Sequence, residues 1–591
     1  MRKKVASIFL NIVIIVSMLA GCRGRIFMSS EDAMNEQSES LTDRKESVGE
    51  KNYPKFITVD VFDVQSNYQG IQGGWFGQLV KEKFNMELNI ISPNVTGGGA
   101  TLYQTRSAAS NLGDLFIGQL QGGELQKLVS ASLIIDMSSY IDQQDNLSTY
   151  MDAINITNSD LVVEEGIWGI PSELTTQAPT DMINTTALNS GIYIRWDLYK
   201  QLGYPKMSTF EDLLYVMLDM QEIAGVSDSG RPVYAFSLFK DWDRAMIKAG
   251  QDIPSNYGWS TESFVLQKVD DSEEPIDFLT ENSPYIRNLR FYFKANQMGL
   301  LDPESTRQNF ETLYSKYEDG AVLYSPWSWL GPDTYNTTKH TKDGKGFETA
   351  CIDDLQIREW GCYYAGNPET GIMVGSQAQD PQRMVDFIDW LYSPEGIQSQ
   401  MFMMTDEMYD VVGNSPVLTA LGQEALLDGD SIMSEIYGGG WYKEGKPELN
   451  YKAVSLSETN PETGYAYDYE VWDSYVDAVS NELDIDWQNH MGARNAADFW
   501  QKTGRMCISM GTSYARPQDS NDIATMRLQI EKITKDYSWK AIYADSEEEF
   551  NNIIHEMRNT AIGLGYDEVV AVDLKVAAEL KAARQEILRG N

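Results

Sequence analysis

The chain has 591 residues, too many for a single hydrophobic core, so it divides into two large lobes or several domains. With 47 basic against 87 acidic residues the formal net charge is −40. That charge excludes grip on a nucleic-acid backbone as the main activity and disfavours docking of the folded body to anionic lipid.

The chain opens with Arg2, Lys3 and Lys4, then an apolar run from Ile8 to Gly21 broken by Asn11 and Ser17. As a helix this run would be ~21 Å long, short of the ~30 Å hydrocarbon core. It therefore reads as a secretory signal peptide over residues 1–21 rather than a membrane span. Leu19-Ala20-Gly21-Cys22 resembles the bacterial lipoprotein lipobox, in which cleavage precedes the cysteine and the thiol carries a diacylglycerol. The alternative is an ordinary signal with an incidental Cys22. Residues 22–53 are polar and aperiodic, and read as a flexible tether with an end-to-end distance of ~30 Å.

From Lys55 strands and helices alternate. KFITVDVF reads as a strand, WFGQLVKEKF as a helix with Phe76, Leu79, Val80 and Phe84 on one side, and MELNII as a second strand. TLYQTRSAASNL reads as a helix, DLFIGQL as a third strand and GELQKLVSASLI as a further helix. This βαβα rhythm predicts a mostly parallel sheet covered by helices. Later helices carry their own punctuation. A capping box is expected at Ser208 and Glu211, an N-cap at Asp380 before Pro381, and a second capping box at Ser546 and Glu549. Cys351 and Cys362, in CIDDLQIREWGC, either close a small disulfide loop or remain two free thiols. Cys507 reads as a small core residue. The three histidines are far apart and no Cys-x-x-Cys occurs, so a zinc site is not expected and no cofactor is implied.

Several segments, in order along the chain, resemble the extracellular solute-binding lipoproteins of bacterial ABC importers that take sugars and oligosaccharides. They are NLGDLFIGQLQGGELQKLVSASLIIDMSSYI, GIWGIPSEL, GIYIRWDLYKQLGYPKMSTFEDL, GAVLYSPWSWLG and GIMVGSQAQDPQRMVDFIDWLYSPEG. Two departures stand out: Gly113 where the family usually has proline, and Phe210 in the usual tryptophan place. The resemblance implies an α/β fold of two lobes with a hinge and a central ligand cleft. It puts lobe 1 at 54–185 and 346–400, and lobe 2 at 186–345 and 401–591. It also implies a monomer, a sugar ligand, permease partners and a lipid anchor at the extracytoplasmic face of the membrane. Two sheet edges facing each other across a hinge make a cleft that domain rotation can close.

A neutral sugar stacks its C–H faces on aromatic rings and needs convergent donors and acceptors for its hydroxyls. Trp327, in SPWSW, matches the position where maltose-type binding proteins stack a sugar ring, with Trp329 as neighbour or core residue. Asp241 and Trp242 end a strand at a family position that gives an aromatic to the ligand, unless Trp242 only caps the hydrophobic layer. Gln119 and Gln121 follow the DLFI strand, and Glu173 follows GIPS at the crossing between lobes, as ligand or as an exposed turn carboxylate. Asp63 and Trp75 sit at the same strand edge, a core role for Trp75 being the alternative. Arg195 and Trp196 end GIYIRW, where Arg195 could instead pair with Asp197. Trp259 and Trp441 lie in glycine-bearing loops that could form subsite walls.

Two other functions fit the residues less well. The same fold could take a peptide or another small solute. A lipid-anchored glycoside hydrolase would need a carboxylate pair ~5 Å or ~6.5–9.5 Å apart, and nothing in the sequence marks one. There is no Gly-x-Ser-x-Gly elbow and no phosphate loop.

Overall fold

A computed structural model of the chain describes residues 53–590, apart from 97–98, 143, 189, 404–407, 414, 428–430, 435–436, 462, 513 and 515. Cys22, the signal segment 1–21 and nearly all of the expected tether 22–53 lie outside the described residues. No helix among the described residues is long and apolar enough to cross a membrane.

The first sheet has six strands. In spatial order they are Gly70–Ile71, Met86–Ile91, Ile57–Asp63, Leu115–Gly118, Asn367–Val374 and Ile170–Ser172. Its centre is parallel, as the βαβα rhythm predicts: Ile57–Phe62 pairs in register with Met86–Ile91, and Val61–Asp63 with Leu115–Ile117. Gly70–Ile71 and Asn367–Val374 run antiparallel to this centre, Asn367–Val374 coming from far along the chain to join Leu115–Gly118. Ile170–Ser172, antiparallel to Asn367–Val374, has the direction of the centre again. The helix Gly74–Phe84 buries Trp75, Phe76, Val80 and Phe84.

Gly113 has a structural reason. Its φ is +92°, and a Cβ there would stand 2.5 Å from Asp60 O. Proline, fixed near φ −65°, could not take this conformation. The turn brings Asp114 N to Asp60 O at 2.8 Å, while Asp114 Oδ2 accepts from Asp60 N at 2.9 Å.

The second lobe is built on the antiparallel strands Tyr324–Ser325, Tyr193–Arg195 and Phe347–Thr349. Beside them lie the meander Trp259–Glu262, Val265–Lys268 and Ile276–Asp277, and the parallel pair Ile357–Tyr363 with Met506–Gly511. One large core joins Trp196, Phe236, Tyr285, Leu289 and Trp500 to the C-terminal helices through Ile542, Phe550 and Tyr566. Phe210 is part of it, edge-on to Phe291 at 4.9 Å.

The helix punctuation holds in part. Asp380 caps Pro381–Leu391 and accepts from Arg383 N at 3.2 Å. Ser546 accepts from Glu549 N, but the Glu549 carboxylate reaches Asp545 N at 2.7 Å, so the second box closes one residue early. The box at Ser208 does not form. Asp212 Oδ2 takes the Ser208 and Thr209 amides, and Glu211 instead grips Arg287 through two 2.7 Å contacts. No disulfide joins Cys351 and Cys362: both are free, Cys362 lies 3.2 Å from Ser457 Oγ, and Arg505 Nη2 donates to Cys351 Sγ at 3.1 Å.

The expected lobe bounds at 346 and 401 do not match the contacts, since Phe347–Thr349 pairs with Tyr193–Arg195 and Ile357–Tyr363 with Met506–Gly511 on the second lobe. Residues 442–454 lie along the first sheet. Trp75 Nε1 donates to Tyr442 O at 3.1 Å, Gln72 Nε2 to Lys446 O at 2.9 Å, and Ser66 Oγ to Glu448 O at 2.9 Å. A bridge from Leu174 to Val454 continues the contact. These bonds satisfy loop amides and carbonyls at the end of the first sheet, so the strap belongs to lobe 1.

Candidate functional site

Where chain segments cross between the two sheet systems, Met182 bridges Gly361 and Ile183 N donates to Trp360 O at 3.0 Å. Beside this crossing, on the lobe 2 side, lies a cavity of about 700 Å3. That is within the range of small-ligand sites. Three tryptophans line it: Trp259, Trp327 and Trp360.

Each is placed by a different element. Trp327 follows the short strand Tyr324–Ser325. Pro326 ends the ladder there, and Ser325 Oγ donates to Trp327 O at 2.8 Å to fix the turn. Trp327 is 9% exposed and Lys248 Nζ stands 5.0 Å from its ring centroid. Trp259 opens the strand Trp259–Glu262, and its cross-strand partner Lys268 lies 5.3 Å over its ring. Trp360, on the strand Ile357–Tyr363, is 41% exposed and carries the Arg358 guanidinium 4.6 Å from its centroid. Alternation along a strand puts Arg358 and Trp360 on the cavity face, with Glu359 on the other, where it accepts from Asn184 Nδ2 at 3.0 Å.

The polar lining is charged. Burial pushes the Asp252 carboxyl up to about 7, opposed by the Tyr292 hydroxyl, which donates to its Oδ2, and by Lys248. Burial lowers the Lys248 ammonium's pKa. Asp252 opposes this, while Arg358 and Arg244 add to it by repulsion. Burial likewise raises the Glu262 carboxyl, against the pull of Arg516 and Arg584. Flat rings beside hydrogen-bonding side chains are what a sugar requires: a face to stack on and groups for its hydroxyls.

No family model matches the sequence, and no curated protein does. Solved structures do match. The substrate-binding protein FusA of Streptococcus pneumoniae, as an EF-hand mutant with fructo-nystose, aligns over 89% of this chain and 99% of its own, with a TM-score of 0.54 and 14% identity. An extracellular solute-binding protein from Bifidobacterium longum subsp. infantis aligns over 90% and 99%, with a TM-score of 0.54 and 12% identity. An HMO-binding, ABC-transporter-associated protein from Bifidobacterium longum infantis aligns over 89% and 99%, with a TM-score of 0.53 and 13% identity. The fold is that of the two-lobe solute-binding proteins.

Within this solute-binding fold the residues singled out from sequence fall into three groups. Trp327 and Trp259 meet at the cavity. Trp242 lies 6.0 Å from Trp327 but is not among the cavity's lining residues. It stacks on Phe310 at 4.6 Å, and Asp241 Oδ2 accepts from Phe310 N at 2.8 Å, tying the start of the helix Phe310–Glu318. Gln119, Gln121 and Glu173 lie on the first lobe, at the ends of Leu115–Gly118 and Ile170–Ser172, and take no part in the cavity wall. Gln119 is exposed, whereas Glu173 Oε2 accepts from Asn367 Nδ2 at 2.7 Å.

The third group lies away from this cavity wall, with Trp75 and Arg195 in the core and pairing roles that were their alternatives. Trp75 is 2% exposed and stacks on Tyr442. Trp196 is buried with its indole N–H on Asp486 at 2.9 Å. Arg195 makes a two-point pair with Asp197, 2.8 Å at each oxygen. Asp63 is buried, accepts from Gln65 N, Ser66 N and Asn450 N, and is raised to about 6 by burial against those bonds. Trp441 is 45% exposed beneath Lys443 and does not line the cavity. Sequence reasoning missed Arg358 and Trp360. The only signal was their i, i+2 spacing on a strand-like run, IREWGCY.

Proposed function

We propose that this protein is a solute-binding protein that captures a sugar or oligosaccharide and delivers it to the transmembrane subunits of an ABC importer. The observation that carries the reading is the three-tryptophan cavity beside the segments that cross between the lobes. Rotation about those segments would bring Gln119, Gln121 and Glu173 of the first lobe toward it. The likeness of fold to substrate-binding proteins supports the same reading. Cys22 would carry two acyl chains, enough for stable anchoring where one is marginal, and hold the body at the extracytoplasmic face.

Thermal unfolding across a panel of oligosaccharides and peptides tests this, since a ligand that binds only the folded state raises stability by mass action. Stabilisation by glycans, confirmed by calorimetric titration without any change in the glycan, is expected. Stabilisation by peptides alone would sink the sugar reading, and release of shorter glycans would make the protein a hydrolase.

A further inference from the structure

The cavity wall is unusually cationic for a chain of net charge −40. Arg244, Lys248 and Arg358 all face it, and none lies in an ion pair with a carboxylate among the described residues. Burial chiefly pushes the Lys248 ammonium down; Asp252 opposes this, and Arg358 and Arg244 repel it. The remaining charges of the wall are largely spoken for. Arg584 pairs with Asp271 at 2.7 Å, Asp252 accepts from Tyr292 and attracts Lys248, and burial pushes Glu262 toward its neutral form against the attraction of Arg516 and Arg584. Glu531 is the other carboxylate of the lining.

Arg358 adds an independent sign. Its Nε is buried without a hydrogen-bond partner among the described residues, and the neighbouring Glu359, which attracts the guanidinium, accepts from Asn184 on the opposite face of the strand. A buried guanidinium N–H left unsatisfied is costly, and an anion beside it would offset that cost. The guanidinium fork also matches the two-oxygen geometry of a carboxylate or sulfate. With Trp360 against Arg358 and Trp327 under Lys248, the rings and the cations occupy the same wall.

We infer that the ligand is an acidic glycan, an oligosaccharide bearing a carboxylate or sulfate that sits among Arg358, Arg244 and Lys248 while its rings lie on the tryptophans. This rests on the sugar-binding reading and narrows it.

The test is calorimetric titration of the full chain with three oligosaccharides of equal length: neutral, uronate-containing and sulfated. At least one acidic glycan should bind about tenfold or more tighter than the neutral one, as charge-assisted hydrogen bonds require. That preference should shrink as salt rises from ~0.05 to ~0.5 M. Arg358→Met and, separately, Arg244→Gln should bring the acidic-to-neutral ratio toward one. Apo Arg358→Met should unfold at the same or a higher temperature than the parent, because it removes a guanidinium whose buried Nε has no partner while keeping an apolar stem against Trp360. Equal or tighter binding of the neutral glycan would overturn this inference and leave the proposed function standing. Binding of peptides with no glycan binding at all would overturn both.

Discussion

The indoles of Trp327 and Trp329 stack with centroids 5.1 Å apart and planes 12° from parallel. Only Trp327 faces the cavity, and Trp329 backs it while also packing near Phe310. A ring held this way presents a pre-organised face, so little side-chain entropy is lost when a sugar lies on it. Trp327→Ala should therefore weaken glycan binding by ~1–3 kcal/mol and also lower thermal stability. Trp360→Ala, at a half-exposed ring, should weaken binding with little change in unfolding temperature. Calorimetry and thermal unfolding of both variants check this; unchanged binding in both would remove the tryptophan wall from the site.

Stability should carry a pH signature from Asp252. Its folded pKa, about 7, lies above the ~3.9 of an exposed aspartate. A carboxyl raised on folding contributes stability in full below the unfolded value and loses it as pH rises through the folded one. Asp63, at about 6, acts in the same sense over a lower range. Asp252→Asn keeps an acceptor for Tyr292 without the charge. It should gain on the parent between pH 5 and pH 8 by an amount on the order of 2–4 kcal/mol. Parallel unfolding curves of parent and variant across that range would refute the assignment.

Asp573 should be a point of failure for the C-terminal helices. It is fully buried and receives both terminal nitrogens of Arg527 at 2.8 Å, with Arg516 at 2.5 Å and Phe264 N at 3.2 Å. Asp573→Ala strands part of this positive charge and should cost ~3–5 kcal/mol in urea unfolding. Asp519 still holds Arg527 on its other edge, so the helix pair should loosen rather than the whole chain unfold.

The thiols should behave as free groups. Cys351, Cys362 and Cys507 should each react with a thiol reagent after unfolding without reductant, and reductant should leave the melting temperature unchanged. Cys507, raised to about 11 by burial and by Asp270, should be slow in the native state.

The anchor has its own measurement. Mass spectrometry of the mature N-terminus from membranes should find Cys22 as first residue with a diacylglycerol mass. An unmodified N-terminus beyond Cys22 would leave the signal peptide without the anchor.

Much of the fold was legible locally. Val59 and Val61 alternate with polar neighbours, and the Gly74–Phe84 helix buries the side its spacing predicts, because strand and helix periods are properties of adjacent residues. Trp327 was legible too, from a short motif beside a proline. By contrast, the same local signals left Trp75 open between cleft and core and did not mark Trp196 as buried, since a tryptophan at a strand or helix end looks alike whether it faces solvent or core.

What the sequence alone determined is the rhythm of strands and helices, the caps that rest on one residue, and the lipobox-like ending of the apolar run. Tertiary structure alone decided the placing of the strap and the composition of the cavity wall. Asp63 receives the Asn450 amide across 387 positions. Arg358 and Trp360 meet residues of the Trp259 strand and the Trp327 turn only because Ile357–Tyr363 pairs with Met506–Gly511 at the crossing. No periodicity records such contacts, because their free energy is gained only when distant segments close on one another.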